Sequence, residues 1–500
     1  MISHISPISF TLNLTPEGKG AFIMVLHEGS KVERHSLYKE LNNEDKNYLL
    51  HFASKLPLAH RAHAILLPSG KRVVVIGLSA KKDFHIRKSI LAIRQAVQIA
   101  KREKLESIVL TAEDYAPSGE LTSIELLERI AEQCELANYE FDLYKEKTKD
   151  NKPLYIKNIE IVYKDKSKRA LEALKSGQVI GEAMNGARSL ANTPGGDMTP
   201  VKLAEAAEKI GKQFGVKVKV LDEHRIEKLK MGGVIGVSKG SIEKPRFIVM
   251  EYMNGGKNQK PIVLVGKGVT FDSGGLSLKP SKSMYEDPMF MDMTGGAVVI
   301  NVIAALARLK TKKNVVAIVP AVENMVSGSS YRPGDLLKTM SGKTIEVANT
   351  DAEGRVILSD ALTYAQKFYS PKLVIDVATL TGAADVAVGP RFSAILSPDH
   401  SLAEKFRALS EKNGDNVWPL PLWEEYEEDI KAPFGDLSNV GRGRAGGVIT
   451  AAAFLWQFIK ETPWVHLDIA SRMVTTEGDF LARGSTGAGT SLLIHFLRKS

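Results

Sequence analysis

Apolar positions along this chain fall into two patterns. Short unbroken runs of aliphatic and β-branched residues predict strands, and apolar residues recurring every three or four positions predict helices. In the first third, RVVVIGLS (72–79), SIVLTA (107–112) and IKNIEIVY (156–163) read as strands. Residues 86–101 read as a helix with Ile90, Ile93, Val97 and Ile99 on its apolar side, and 123–136 as another. This alternation predicts a largely parallel sheet.

Residues 164–191 read as one long helix, basic and exposed at its start, that stops at the turn signal Asn192-Thr193-Pro194. Beyond it the runs 247–252, 261–266, 314–321, 372–380 and 464–470 predict strands covered on both faces, with helices such as 295–308 and 448–460 between them. The expected fold class is α/β with two domains. A smaller N-terminal α/β domain spans 1–163, a connecting helix 164–192, and a larger C-terminal α/β domain with a central mixed sheet 193–500. Open α/β sheets bind ligands beyond the carboxyl ends of their strands, so polar residues just after strands matter most.

Composition changes this picture little. The 500 residues are 44% hydrophobic and 25% charged, as in ordinary globular proteins. The single cysteine, Cys134, excludes an internal disulfide and points to a reducing compartment. The N-terminus lacks a basic start followed by an apolar core, and no run reads as a membrane span, so a cytoplasmic protein is expected. The net charge of +9 raises the question of nucleic acid. Residues 51–100 carry nine Lys/Arg against one acid, Asp83, whereas 101–150 carry seven Lys/Arg against thirteen acids. A solvated face is the simpler reading of 51–100, and a DNA-binding surface is the alternative.

Three familiar patterns lack their structural context. Gly236-Val237-Ser238-Lys239-Gly240 matches a nucleophile elbow, but a proline and a strand follow it. Gly441–Gly446 matches G-x-G-x-x-G without a preceding strand. Ser341-Gly342-Lys343-Thr344 ends like a P-loop whose earlier glycine is Leu337.

Acids, lysines and glycines concentrate instead in 265–297 and 341–365, just after apolar runs. No histidine lies between 260 and 360, so a metal site here must draw on carboxylates, carbonyls or a neutral lysine. Asp351 and Glu353 stand two apart between an expected strand end and a helix start, and in an extended stretch both would face one cation. Asp272 lies in a glycine-rich turn, and Asp292 precedes Gly295-Gly296. Four converging carboxylates repel unless cations neutralise them. Paired metals there would ionise a water and polarise a carbonyl. Lys267 could become a neutral ligand, Lys279 could stabilise an oxyanion, and Arg355 could hold an anion bidentately.

Asn349-Thr350-Asp351-Ala352-Glu353-Gly354-Arg355 and the segment 265–275, VGKGVTFDSGG, followed by Ser277-Leu278-Lys279-Pro280, resemble the signatures of the leucyl aminopeptidase (M17) family of dinuclear metallopeptidases. Weaker matches are Asn192–Pro194, Arg332–Asp335, Thr379–Gly382 and His466–Ala470, so the resemblance spans about 190–500. It implies a C-terminal peptidase domain, two divalent ions (Mn²⁺ or Zn²⁺), peptide substrates and a homohexamer. It also implies that Asp272 and Glu353 bridge the metals, Lys267 and Asp292 complete one site, and Asp351 completes the other. Lys279 would stabilise the tetrahedral intermediate. Arg355 would hold a bicarbonate that relays a proton from the water to the leaving amine. Met289, Thr379, Gly382, Ala470 and Met473 would line the pocket for a first side chain such as Leu or Met. Two departures stand out. The stretch before Asp292 is two residues longer than the family norm, which makes Glu286 and Asp287 rivals to it. Ser471-Arg472 replaces the usual glycine context, with a solvent-pointing Arg472 as the simpler expectation.

Overall fold

The computed structural model describes residues 8–53, 62–117, 119, 121–146, 148, 153–443, 445–459 and 461–499. Two sheets organise the chain. The smaller has six strands in the order Ser9–Asn13, Asn158–Val162, Ser107–Thr111, Ala21–His27, Arg72–Leu78, Ala62–Leu66. Only the last pair is antiparallel. The helix Ile86–Arg102 buries Ile90, Ile93, Ala96 and Val97 against this sheet. The helix Ser123–Asn138 starts at a capping box in which Thr122 and Glu125 satisfy each other's backbone N–H groups. Cys134 is buried in the same core, and burial pushes its thiol well above the usual range.

The larger sheet is mixed. Trp464–Asp468, Leu373–Ala378, Ile262–Gly266 and Asn314–Asn324 lie side by side and parallel. Arg246–Met253 and Lys217–Leu221 extend it antiparallel on one side. Ser393–Leu396 and Val417–Pro419 extend it on the other. The four central strands are buried on both faces, which is why they read as unbroken apolar runs. The helices Thr294–Arg308 and Thr490–Lys499 cover one face, and Glu353–Tyr369 and Gly447–Trp456 cover the other. Contrary to the sequence expectation, Met289–Arg308 is long and apolar enough to cross a membrane, but it is buried in the protein core.

The long helix runs Lys168–Asn192. Its start is exposed, as the basic residues imply, but it is not a bare connector. Ala170, Ala173 and Leu174 belong to the core of the smaller sheet, and Val179, Ile180, Ala183, Ala187 and Leu190 to that of the larger.

Candidate active site

The parallel strands bring their carboxyl ends to one edge, and the site is built there. The chain leaves Ile262–Gly266 at Lys267 and at once forms a second short strand, Gly268–Asp272, paired with the end of Asn314–Asn324. Asp272 is therefore the last residue of a strand and not a turn residue. Asp351 sits in a turn, and Glu353 is the first residue of Glu353–Tyr369. The extended Asp351–Glu353 geometry expected from sequence is absent, and a turn into a helix brings the two acids together instead.

Lys267 is 3% exposed, with Nζ 2.7 Å from Asp292 Oδ2 and 2.8 Å from Glu353 Oε1. It also donates to the Thr379 carbonyl at 2.9 Å. Lys279 Nζ lies 2.9 Å from Asp272 Oδ2 and 2.5 Å from Asp351 Oδ1. One oxygen from each of Asp272, Asp351 and Glu353 lies within 4.8 Å of the others. Glu286 and Asp287 are exposed, so Asp292 is the acid that reaches the cluster across the lengthened 280–291 stretch. Gly354 allows the close approach, since a Cβ there would stand 2.5 Å from Lys267 Cε.

Four carboxylates and two ammonium groups leave this buried cluster with an excess of negative charge. Burial and the neighbouring charge of Asp272 push the Asp351 carboxyl up to about 7. Burial, with Glu353 beside them, likewise raises Asp272 and Asp292. Burial also works against Glu353, but Lys267 and Lys279 outweigh it and hold that carboxyl below the usual range. Burial alone would lower both lysines, yet the surrounding carboxylates hold them above the usual lysine range. Asp292 Oδ2 and Asp351 Oδ1 have ammonium neighbours but accept no well-directed hydrogen bond. A buried set of hard oxygens, short of positive charge and of directed donors, fits divalent cations.

Several residues that the sequence did not single out hold this arrangement. Asn324 donates to Asp272 Oδ1 at 2.8 Å and to the Thr350 carbonyl at 2.9 Å, tying the two signature segments together. Tyr331 donates to the same carbonyl at 2.7 Å. Asn439 accepts from Ala348 N and donates to Asn349 O. Asp468 accepts from the backbones of Leu380 and Ala470 and from Thr381 Oγ1. Apart from Asp468 with Ala470, these contacts join residues 19 to 91 positions apart, so no spacing advertises them.

Arg355 is buried and donates from Nη1 to Asn439 O, while its Nε has no hydrogen-bond partner. Thr379, expected as a pocket residue, donates to Asp292 Oδ1 at 2.6 Å, so its hydroxyl positions a carboxylate. Gly382, Ala470 and Met473 lie on the two segments that Asp468 pins or that follow it directly. Met289 begins the 3-10 turn that leads to Asp292. Arg472 does not point to solvent: it is half-buried and donates to Arg391 O.

The three discounted motifs stay outside this site. Ser238 is the last residue of a helix and donates to Ile235 O. Gly342 turns a hairpin between Leu336–Lys338 and Thr344–Glu346. Gly446 caps Gly447–Trp456, and Arg444 of that motif lies outside the described residues. The basic stretch is not one solvated face. Arg94 is buried, Lys71 stacks on Phe22, and Lys55 and Arg61 lie outside the described residues.

Buried carboxylates and lysines gathered at the carboxyl edge of a mixed α/β sheet make a set of hard oxygen donors suited to divalent metal ions. The catalytic-domain model of the cytosol aminopeptidase family matches residues 185–494, and its N-terminal-domain model matches 58–148. A probable cytosol aminopeptidase of Azoarcus sp. (strain BH72) is 44% identical over 434 residues, covering 86% of this chain and 85% of that protein. One of Nitrosococcus oceani is 38% identical over 496 residues, covering 97% and 96%. The solved bottromycin maturation enzyme BotP in complex with Mn is 30% identical, with a TM-score of 0.83, covering 96% of this chain and 99% of that one. The chain belongs to the cytosol aminopeptidase family and is an aminopeptidase.

Proposed function

We propose that this aminopeptidase removes apolar N-terminal residues, Leu and Met among them, with two divalent ions held by Lys267, Asp272, Asp292, Asp351 and Glu353. The observation that carries the reading is the convergence of these four carboxylates on two lysines in a buried site. The likeness to an enzyme solved with manganese supports Mn²⁺, and Zn²⁺ suits the same oxygens. When bound, such ions supply Lewis acidity to a water nucleophile and to the scissile carbonyl.

The residues of this chain do the rest. Asp272 and Glu353 would contribute to holding both ions. Lys267 must shed its proton to act as a ligand. Lys279 now balances Asp272 and Asp351, and it is freed once other cations balance them. It then donates to the oxygen that becomes negative as the carbonyl turns tetrahedral. Arg355, with an unpaired buried Nε, is the residue that would hold bicarbonate, and bicarbonate supplies a base near the attacking water. Asp468 holds the Leu380 and Ala470 N–H groups and the Thr381 hydroxyl, which would keep a pocket of Met289, Thr379, Gly382, Ala470 and Met473 in shape. We further infer a cytoplasmic homohexamer, testable by sedimentation of the purified protein.

The central test is leucine-anilide hydrolysis. A chelator abolishes it, Mn²⁺ or Zn²⁺ restores it, and metal analysis returns two ions per chain. A chelated, metal-free enzyme that keeps its full rate overturns the reading.

A further inference from the structure

Where the helix Ile86–Arg102 of the smaller unit meets the loops of the larger one, a cleft holds four arginines: Arg87, Arg94, Arg391 and Arg472. Asp479 is the one acid that lines it. Among the described residues, the only ion pair any of the four makes is Arg391 to Asp479, at 3.9 Å. The Asp479 carboxylate is also occupied by the Thr476 N–H and hydroxyl. Arg94 is buried and spends its Nε on Gln133 and Nη1 on the Asp479 carbonyl. Arg472 donates to Arg391 O, so two of the guanidinium groups are held by the backbone of the same cleft.

The charges behind the cleft offset this excess only in part, Glu132 acting on Arg94 and Asp415 on Arg472. Glu132 pairs with Arg129, Asp415 accepts the Gly489 and Leu492 N–H groups, and Arg188 adds another cation near Arg94. Like charges in a half-buried cleft repel with little screening, and the cost is met only if an anion completes the set. Exposed arginines separated by water would carry no such cost, but Arg94 is buried and Arg87 and Arg472 are half-buried. The cavity is about 30 Å³, room for a few atoms. Its cations come from three separate segments, 86–102, 390–391 and 470–472, and several forked, multiply charged donors suit an oxyanion of the phosphate class.

We propose that this cleft binds a small oxyanion of the phosphate class, clamping the helix Ile86–Arg102 to the turn Ala470–Arg472. The site is separate from the metal cluster and from Arg355, and it would link the smaller unit to the segment bearing Ala470 and Met473.

The test is calorimetric titration of the metal-loaded enzyme with inorganic phosphate, and separately with glycerol 3-phosphate, at constant ionic strength. One binding event should persist in an Arg355→Ala variant, which separates it from anion capture at the metal site. It should weaken at least about tenfold in Arg87→Gln and in Arg391→Gln, since each removes one charge-assisted contact. Both variants should hydrolyse leucine-anilide normally without phosphate, showing that they fold. Arg87→Lys, which keeps the charge and loses the fork, should bind at an intermediate level. Tighter binding of the ester assigns the cleft to a phosphorylated metabolite, and tighter binding of free phosphate assigns it to the inorganic ion. No binding, binding lost wholly with Arg355→Ala, or binding unchanged in the Gln variants overturns the proposal.

Discussion

Each of the two sheets buries a carboxylate, and the two are treated differently. Glu160, within the strand Asn158–Val162, is 6% exposed and accepts hydrogen bonds from Asn13 Nδ2 and the Glu17 and Gly18 N–H groups, each at 2.7 Å. Neutral, immobile donors meet its charge. At the carboxyl edge of the larger sheet, Asp272, Asp292, Asp351 and Glu353 face lysine ammonium groups at 2.5–2.9 Å and one another. Burial and mutual repulsion disturb three of them upward. A carboxylate met by backbone donors needs nothing else and serves the fold. Carboxylates whose charge is balanced by ammonium groups, with neutral donors such as Asn324 and Thr379 holding their other oxygens, can trade those ammonium partners for other cations. The contrast lies in the donors and not in the depth of burial.

The contrast breaks most severely if the metal-facing acids can be removed without consequence. An Asp351→Ala, Glu353→Ala double variant should lose kcat/KM by on the order of 10⁴-fold, about 5.5 kcal/mol, and should no longer retain two metals after dialysis. Steady-state hydrolysis and elemental analysis of the same sample check both.

Asp360 supplies an intermediate case. It is fully buried and accepts the Val234 and Met340 N–H groups, and among the described residues it makes no ion pair. Burial pushes its carboxyl up to about 7. The folded state therefore takes up a proton that the unfolded chain, titrating near 4, does not need. The resulting stability is fully present below about pH 4 and is lost as the pH rises through about 7, amounting to at most about 4 kcal/mol. Asp360→Asn should flatten that part of the pH profile in urea denaturation. An identical slope in both proteins would mean that the two N–H groups already stabilise the charge fully.

Lys279→Ala should lower kcat by roughly 100-fold, with metal content retained, because one preorganised donor to the developing oxyanion is gone. Loss of metal instead would make Lys279 a structural counter-ion, like the donors of Glu160. The smallest effect belongs to Glu160→Ala. It should cost about 2 kcal/mol of stability by leaving buried donors unpaired, seen as a lower melting temperature with kcat and metal content unchanged.

Much of this was legible in the sequence. The four central strands of the larger sheet announced themselves because both faces are covered, and five of the six cluster residues, all but Asp292, lie in two short signature segments. Geometry was less legible. Gly268–Asp272 follows the preceding strand after a single residue and carries Thr270 and Asp272, so it reads as a turn although it pairs with Asn314–Asn324. Val417–Pro419 contains a proline tolerated only at a sheet edge, and Leu336–Lys338 is too short to show a period. Ala21–His27 is apolar up to its final histidine, yet polar stretches flank it and no helix pattern follows closely to frame it. Asn324, Asn439 and Asp468 escaped for another reason. Each works through a partner distant in sequence, and a lone polar residue at a strand end looks the same whether it holds a site or faces water.

The helix Lys168–Asn192 has a consequence for how the molecule comes apart. Its first half completes one apolar core and its second half the other, so neither core can be emptied while the helix stays intact on the other side. Heating should therefore produce one calorimetric peak, with van't Hoff and calorimetric enthalpies in agreement, and not the two peaks of beads on a string. In mechanical terms the helix is a spindle through both halves, and a helix-breaking proline at its centre should split that single peak in two.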